Sequence, residues 1–200
     1  MRAVIQRVKS ASVSVDGQIV SSIGKGLLCL IGVARDDTAK DTESIAKSIL
    51  KLRLFPETAS DESPQWKQSV VDIKGDLLCV SQFTLLALTS KGAKPDFHDA
   101  MAPNEAKTLY EQLLFRLGQS YDGKIADGRF GAMMDVSLVN WGPVTIQLDS
   151  KDDGSPARSA FEEAKAAKRL ETEQRRARNE ADKRERLKAY ETRQQTESCG

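Results

Sequence analysis

Two short segments place polar side chains and turn-forming residues where chemistry could be done. The first is Ser81-Gln82-Phe83-Thr84-Leu85, which follows the apolar run Leu77 to Val80. Polar residues that emerge from a strand end into a loop often line a site. The N–H groups freed by such a turn can bind an oxyanion. Ser81 and Thr84 are candidate nucleophiles, but no base stands near them in the chain. A turn that merely caps a strand accounts for this segment equally well. The second segment is Asn140-Trp141-Gly142-Pro143-Val144-Thr145. A proline between strands requires a bulge, an edge or a cis bond. Glycine in front of it escapes the usual restriction on that position. Such a turn can aim main-chain carbonyls outward, and carbonyl acceptors suit an ammonium group. Taken alone, an ordinary Gly-Pro hairpin is the simpler reading.

Absences narrow the chemistry. There is no Gly-rich phosphate loop and no HExxH, so no cofactor is expected. The chain has one histidine, His98, which any Ser-His-Asp triad would have to use. It follows Asp96-Phe97 in a loop, within no nucleophile motif, and reads as a surface or helix-capping residue. Cys29 and Cys79 sit in apolar runs, where a thiol acts as a small buried hydrophobe, and Cys199 is near the end. Without a Cys/His cluster no metal site is expected.

The elements that must position these segments follow from periodicity. Ala3 to Val8 and Ala11 to Val15 read as two short strands, Asp16-Gly17 as a turn, and Ile19 to Ile23 as a further strand. Leu27 to Val33 is continuously apolar, as in a strand buried on both faces. Asp36 to Leu54 has helical spacing at Ile45, Ile49 and Leu52, with Thr42 or Asp41 as candidate caps. Residues 57–69 read as a loop, and Ser69 to Ala87 as a hairpin with strands Val70 to Ile73 and Leu77 to Val80. A helix after Ala102-Pro103-Asn104 carries an apolar stripe of Leu109, Leu113, Leu114 and Leu117. Met133 to Leu138 and Val144 to Leu148 read as two last strands. Strands dominate and two helices interrupt them, which predicts an α+β fold over residues 1–150.

Composition changes beyond that point. Residues 151–200 are Ala- and charge-rich, with i,i+4 pairs such as Glu171 with Arg175 and Glu180 with Arg184. They predict a charged C-terminal helical or disordered extension, too poor in apolar residues for a heptad seam. Residues 1–150 hold 17 Lys+Arg against 18 Asp+Glu, so any RNA contact should be local rather than a broad basic surface. No apolar run is long enough to span a membrane, and the first residues alternate like a strand rather than a signal peptide, so a cytoplasmic location is expected.

Together the two segments are more telling than either alone. SQFTL at Ser81 to Leu85, followed by NWGPVT at Asn140 to Thr145, resembles the paired signature motifs of D-aminoacyl-tRNA deacylases. The MRAVIQRV opening, WKQSVVDIKGDLL, KGAKPDFHDAMAP and GRFGAMMDVSLVN resemble the same family in the same order, over residues 1 to about 149. The resemblance implies a barrel-like mixed sheet with helices packed outside, and a homodimer with active sites at the subunit interface. It implies a partner in the aminoacylated 3′ end of tRNA, and hydrolysis of the ester that links it to a D-amino acid or glycine. By resemblance, Gly142-Pro143 is cis and reaches into the other subunit's pocket, where its carbonyls read the groups on the substrate α-carbon. Arg7 holds that loop. Ser81, Gln82, Phe83 and Thr84 form the catalytic pocket wall, Phe130 packs on the terminal adenine, and Met134 belongs to the same pocket. Catalysis is assisted by the ribose 2′-hydroxyl and needs no protein side chain.

The physical logic agrees. An aminoacyl ester is already activated, so modest oxyanion stabilisation by the Phe83 and Thr84 N–H groups suffices. Enantiomers share hydrophobicity and charge, so only a rigid steric test separates them. Carbonyls crowding one side of the α-carbon admit hydrogen alone, which passes D-residues and glycine and rejects L-residues. A Thr84 nucleophile is the competing mechanism. One departure from the family pattern is Trp141, where a small or acidic residue is more usual. Packing against the partner subunit and altered loop closure both remain open for it.

Overall fold

The chain stays extended from Arg2 to Val15 through the exposed pair Lys9 and Ser10, so the two expected strands are one, β1 (Arg2–Val15). A two-residue turn at Asp16 and Gly17, both with positive φ (52° and 75°), sends the chain back as β2 (Gln18–Ile23). β3 (Gly26–Gly32) is buried nearly throughout. The chain then forms α1 (Ala39–Lys51), β4 (Asp76–Ser81), α2 (Pro103–Ser120), β5 (Ile125–Asp127) and β6 (Asp135–Asp149). This computed structural model describes residues 1–58, 63–90 and 92–152. Met1–Lys151 form one compact unit. The expected charged helical extension over 151–200 lies outside the described residues beyond Asp152.

Six strands make one mixed sheet. β1 pairs antiparallel with β2, β3 and β6, while β3–β4 and β4–β5 are parallel. β2 and β3 divide one edge of β1 between them, and β6 runs the length of the other. The sheet curls towards a barrel, with α1 and α2 packed together outside it, as the resemblance implied.

The sheet separates two apolar layers. Ala3, Ile5, Leu27, Cys29, Ile31, Leu77 and Cys79 meet the helices through Ile45, Ile49, Leu113 and Leu117. Val8, Ala11, Val13, Leu28, Leu78 and Val80 form the layer on the other face. β1 therefore contributes to both. Its register against β6 shifts between Gln6 and Val8 and again between Val8 and Ser10, and there its buried side chains change layer.

Four expectations need correction. Val70 to Ile73 is a helical turn rather than a strand. Ser69 and Asp72 cap one another, Ser69 N–H donating to Asp72 Oδ2 at 2.8 Å and Asp72 N–H to Ser69 Oγ at 3.2 Å, which overrides the β-propensity of two valines. The hairpin therefore does not form. β4 instead pairs parallel with β3, returning through α1 as a β-α-β unit. α1 is shorter than expected and is capped by Thr38 in a capping box with Asp41, whereas Thr42 is buried inside the helix. The last two strands are one, β6, and the three-residue β5 is too short for any periodicity to reveal.

Candidate active site

The turn after β4 is built by close packing. Ser81 pairs with Ile31, and Gln82 N–H donates to Ile31 O at 2.7 Å, which carries the parallel ladder one residue past the strand. The chain then tightens into a 3-10 turn, Phe83–Leu86, with Leu85 N–H donating to Gln82 O at 3.2 Å. Gly32 makes this approach possible: a Cβ there would lie 2.6 Å from Leu86 Cδ2 and 3.0 Å from Gln82 O. The start of a 3-10 turn gives the Phe83 and Thr84 N–H groups no acceptor within it. Gln82 Nε2 donates to Thr84 Oγ1 at 2.6 Å. Phe83 is 57% exposed and meets Phe97 edge to face, 5.0 Å between centroids. His98 lies on the surface with Nδ1 2.5 Å from Asp96 Oδ1 and Nε2 3.6 Å from Asp99 Oδ1.

The Gly-Pro segment is neither a hairpin nor a break. Gln6 pairs with Thr145 and Val8 with Asn140, so Trp141, Gly142, Pro143 and Val144 bulge out opposite Arg7. The Gly142-Pro143 bond is cis, and both residues are exposed. Gly142 has φ +128°, and a Cβ on it would lie 2.9 Å from Arg7 Nη2 and 2.8 Å from Val144 Cγ2, so both conformation and space require glycine. Asn140 closes the bulge, its Oδ1 accepting from Val144 N–H at 3.0 Å.

Arg7 holds the bulge to the rest of the molecule. It is 4% exposed. Nε donates to Trp141 O at 2.9 Å, and Nη1 donates to Leu54 O at 2.6 Å and to Gln65 Oε1 at 3.1 Å. Burial lowers its pKa from the ordinary value, but a guanidinium stays charged throughout the working range. Its Cζ stands 4.6 Å from the centroid of the Trp141 ring and 6.0 Å from that of Trp66. Lys25 Nζ lies 4.7 Å from the Trp141 ring, and Phe55 tilts against the same indole at 6.1 Å. Trp141 thus packs within its own chain against Arg7, Lys25 and Phe55.

These supports were missed by the sequence reading. Leu54, Gln65 and Lys25 carry no motif. Trp66 offered a signal, as a tryptophan in a polar loop, and it proves 55% exposed with φ +65°.

The remaining site residues lie around the segment before β6. Phe130 is partly buried, with its ring 5.7 Å from that of Tyr110 on the helix-side layer. Met134 packs on the other layer, and its sulfur accepts from Arg129 N–H at 3.3 Å. The structure thus groups Ser81, Gln82, Phe83 and Thr84 in one turn, and Arg7, Gly142 and Pro143 in another place. Arg7 pairs with Leu27 and Ser81 with Ile31, so four residues of β3, about 13 Å, separate the two within a chain.

Cys29 and Cys79 face each other across β3 and β4, fully buried. Their mutual hydrogen bond, then burial, push the Cys29 thiol well above its ordinary pKa, which leaves it without nucleophilic character. Among the described residues, no group of three or more His, Cys, Asp or Glu could hold a metal ion. Among them also, no helix is long and apolar enough to cross a membrane.

Residues 4–149 match the sequence family of D-Tyr-tRNA(Tyr) deacylase. A D-aminoacyl-tRNA deacylase of Yarrowia lipolytica is 56% identical over 155 residues, covering 76% of this chain and 99% of that protein. The Drosophila melanogaster and Aquifex aeolicus deacylases are 56% and 49% identical, each over 76% of this chain and 94% and 99% of their own. A solved structure described as a c-Myc DNA Unwinding Element Binding Protein is 45% identical with a TM-score of 0.70, covering 74% of this chain and 98% of that one. Another, of a probable eukaryotic D-amino acid tRNA deacylase, shares the fold at 18% identity and a TM-score of 0.63, with 74% and 98% covered. The chain belongs to the D-aminoacyl-tRNA deacylase family, hydrolases of the ester between tRNA and its amino acid.

Proposed function

We propose that residues 1–150 act in the cytoplasm as a homodimeric chiral proofreader. The dimer binds the aminoacylated 3′ end of tRNA and hydrolyses D-aminoacyl esters and glycine mischarged on tRNA-Ala. Gly142 and Pro143 of one protomer enter the other's pocket, formed by Ser81, Gln82, Phe83, Thr84, Phe130 and Met134. Their carbonyls exclude any group but hydrogen from one side of the α-carbon. The Phe83 and Thr84 N–H groups receive the oxyanion. The 2′-hydroxyl of the terminal ribose assists proton transfer, and the protein supplies no base.

The observation that supports this reading most is the exposed, braced bulge at Gly142 and Pro143, about 13 Å along β3 from its own chain's Ser81–Thr84 turn. A second copy is the simplest way to bring the two together. Arg7 and Asn140 hold the bulge by hydrogen bonds, so its carbonyls form a firm steric gauge.

Hydrolysis of D-Tyr-tRNA, L-Tyr-tRNA and Gly-tRNA-Ala tests the selectivity, with sedimentation for the dimer. The D-ester and the glycyl ester are cleaved and the L-ester is spared. Removing the terminal 2′-hydroxyl slows the D-ester about a hundredfold, the scale of lost general acid–base assistance. Equal rates for the two enantiomers would sink the proposal. A nucleic-acid-binding adaptor that uses the charged residues 151–200 on an inactive domain is a second reading. The balanced charge of residues 1–150 disfavours it. Deleting residues 155–200 separates the two: the enzyme keeps its hydrolysis, whereas an adaptor loses its binding.

A further inference from the structure

The position just before Gly142 carries an indole, and the structure gives it a role. Two cations converge on it. The Arg7 guanidinium carbon lies 4.6 Å, and the Lys25 ammonium 4.7 Å, from the centroid of the Trp141 ring. An acidic side chain would meet such cations by ion pairing. An indole meets them with its negative ring face and adds apolar area. Phe55, fully buried, braces the ring at 6.1 Å. Arg7 Nε also donates to the main-chain oxygen of Trp141 at 2.9 Å. Both the side chain and the carbonyl of Trp141 are therefore held, and the next peptide begins the exposed bulge.

We infer that Trp141 is a positioning residue for selection of handedness, acting through the main chain of Gly142 and Pro143. The inference rests on the proposed role of those two residues. The ring ties the bulge to Lys25 just before β3 and to Phe55 beyond α1, side-chain contacts that add to the Arg7 hydrogen bonds to Trp141 O and Leu54 O. Its removal leaves Arg7 holding the Trp141 carbonyl and Asn140 the Val144 N–H, but frees the bulge to tilt about those two points. A tilt admits an L-side chain without abolishing hydrolysis of the D-ester.

The test compares kcat/KM for D-Tyr-tRNA and L-Tyr-tRNA in the wild type, Trp141→Ala, Trp141→Phe, Lys25→Met and Gly142→Ala. Trp141→Ala lowers the D:L ratio by about tenfold or more, mainly by raising the L rate, since small misplacements of a positioned group have effects of this order. Trp141→Phe restores most of the ratio, and Lys25→Met lowers it in the same direction by less. Lys25→Met also carries the test should Trp141→Ala fail to fold. A merely structural role would depress both rates in proportion and leave the ratio alone, and that result overturns the inference. If Gly142→Ala changes the ratio and neither Trp141→Ala nor Lys25→Met does, the inference alone fails. If Gly142→Ala also leaves the ratio unchanged, the failure belongs to the proposed function.

Discussion

Replacing Arg7 with methionine tests the anchoring of the bulge most directly. Methionine fills much of the volume of the arginine stem but donates nothing. Two main-chain acceptors, Trp141 O and Leu54 O, lose donors now at 2.9 and 2.6 Å. A hydrogen bond from a charged donor contributes about 1.5–3 kcal/mol, so the two together stand for about 3–6 kcal/mol. Removing the guanidinium also relieves the cost of burying a charge, which offsets part of this. The net loss should be about 2–4 kcal/mol. For a domain of this size each kcal/mol shifts Tm by about 2–4 °C, so Tm should fall by roughly 4–16 °C. Thermal and urea unfolding measure the loss, and hydrolysis of the two enantiomeric esters at a permissive temperature measures its consequence. Arg7→Lys, with a single point charge in place of a planar fork, should lie between. A fall of under about 1 kcal/mol for Arg7→Met, with selectivity retained, would refute the idea that this guanidinium fixes the loop.

Other expectations follow from the same geometry. Gly32→Ala drives a Cβ to 2.6 Å from Leu86 Cδ2 and displaces the 3-10 turn, so kcat for the D-ester should fall by about tenfold to a hundredfold, measured by single-turnover hydrolysis. Thr84→Ala should keep turnover within about tenfold, because no base activates that hydroxyl; a loss beyond about a thousandfold would favour a threonine nucleophile. Acid stability should depend on Asp41. Burial pulls this carboxyl up, but hydrogen bonds from Ser150 and Thr38 and the Met1 ammonium more than reverse the effect, leaving its pKa below the ordinary value. A folded pKa below the unfolded one gives stability that is complete above about pH 4–5 and is lost as pH falls through the folded value. Urea midpoints should therefore be flat above that range and drop below it, and Asp41→Asn should flatten the drop.

Much of this molecule could be read from its residues, and the parts that could not share a cause. β3 declared itself as a continuous apolar run, and α2 by its stripe, of which Leu113 and Leu117 are fully buried. The two motif segments were found where the structure puts a tight turn and a cis-proline bulge. Their joint meaning came from resemblance, since each alone fitted an ordinary turn. Local periodicity could not reveal that β4 pairs parallel with β3, because partner choice depends on the crossover and not on either strand's pattern. At Ser69–Ile73 two valines suggested a strand, and a reciprocal Ser-Asp cap prevailed. The gathering of Arg7, Lys25 and Phe55 around the Trp141 indole draws on four distant parts of the chain, which no window on the sequence spans.

The course of β1 has a thermodynamic consequence. One strand supplies side chains to both apolar layers, changing allegiance beside Val8. Neither layer can melt while the other keeps that strand in place, so Met1–Lys151 should unfold in a single cooperative transition. Arg7 sits where the strand changes sides. Opening of either layer would release Arg7 together with the bulge it holds, so the bulge should melt with the fold as a whole and not before it.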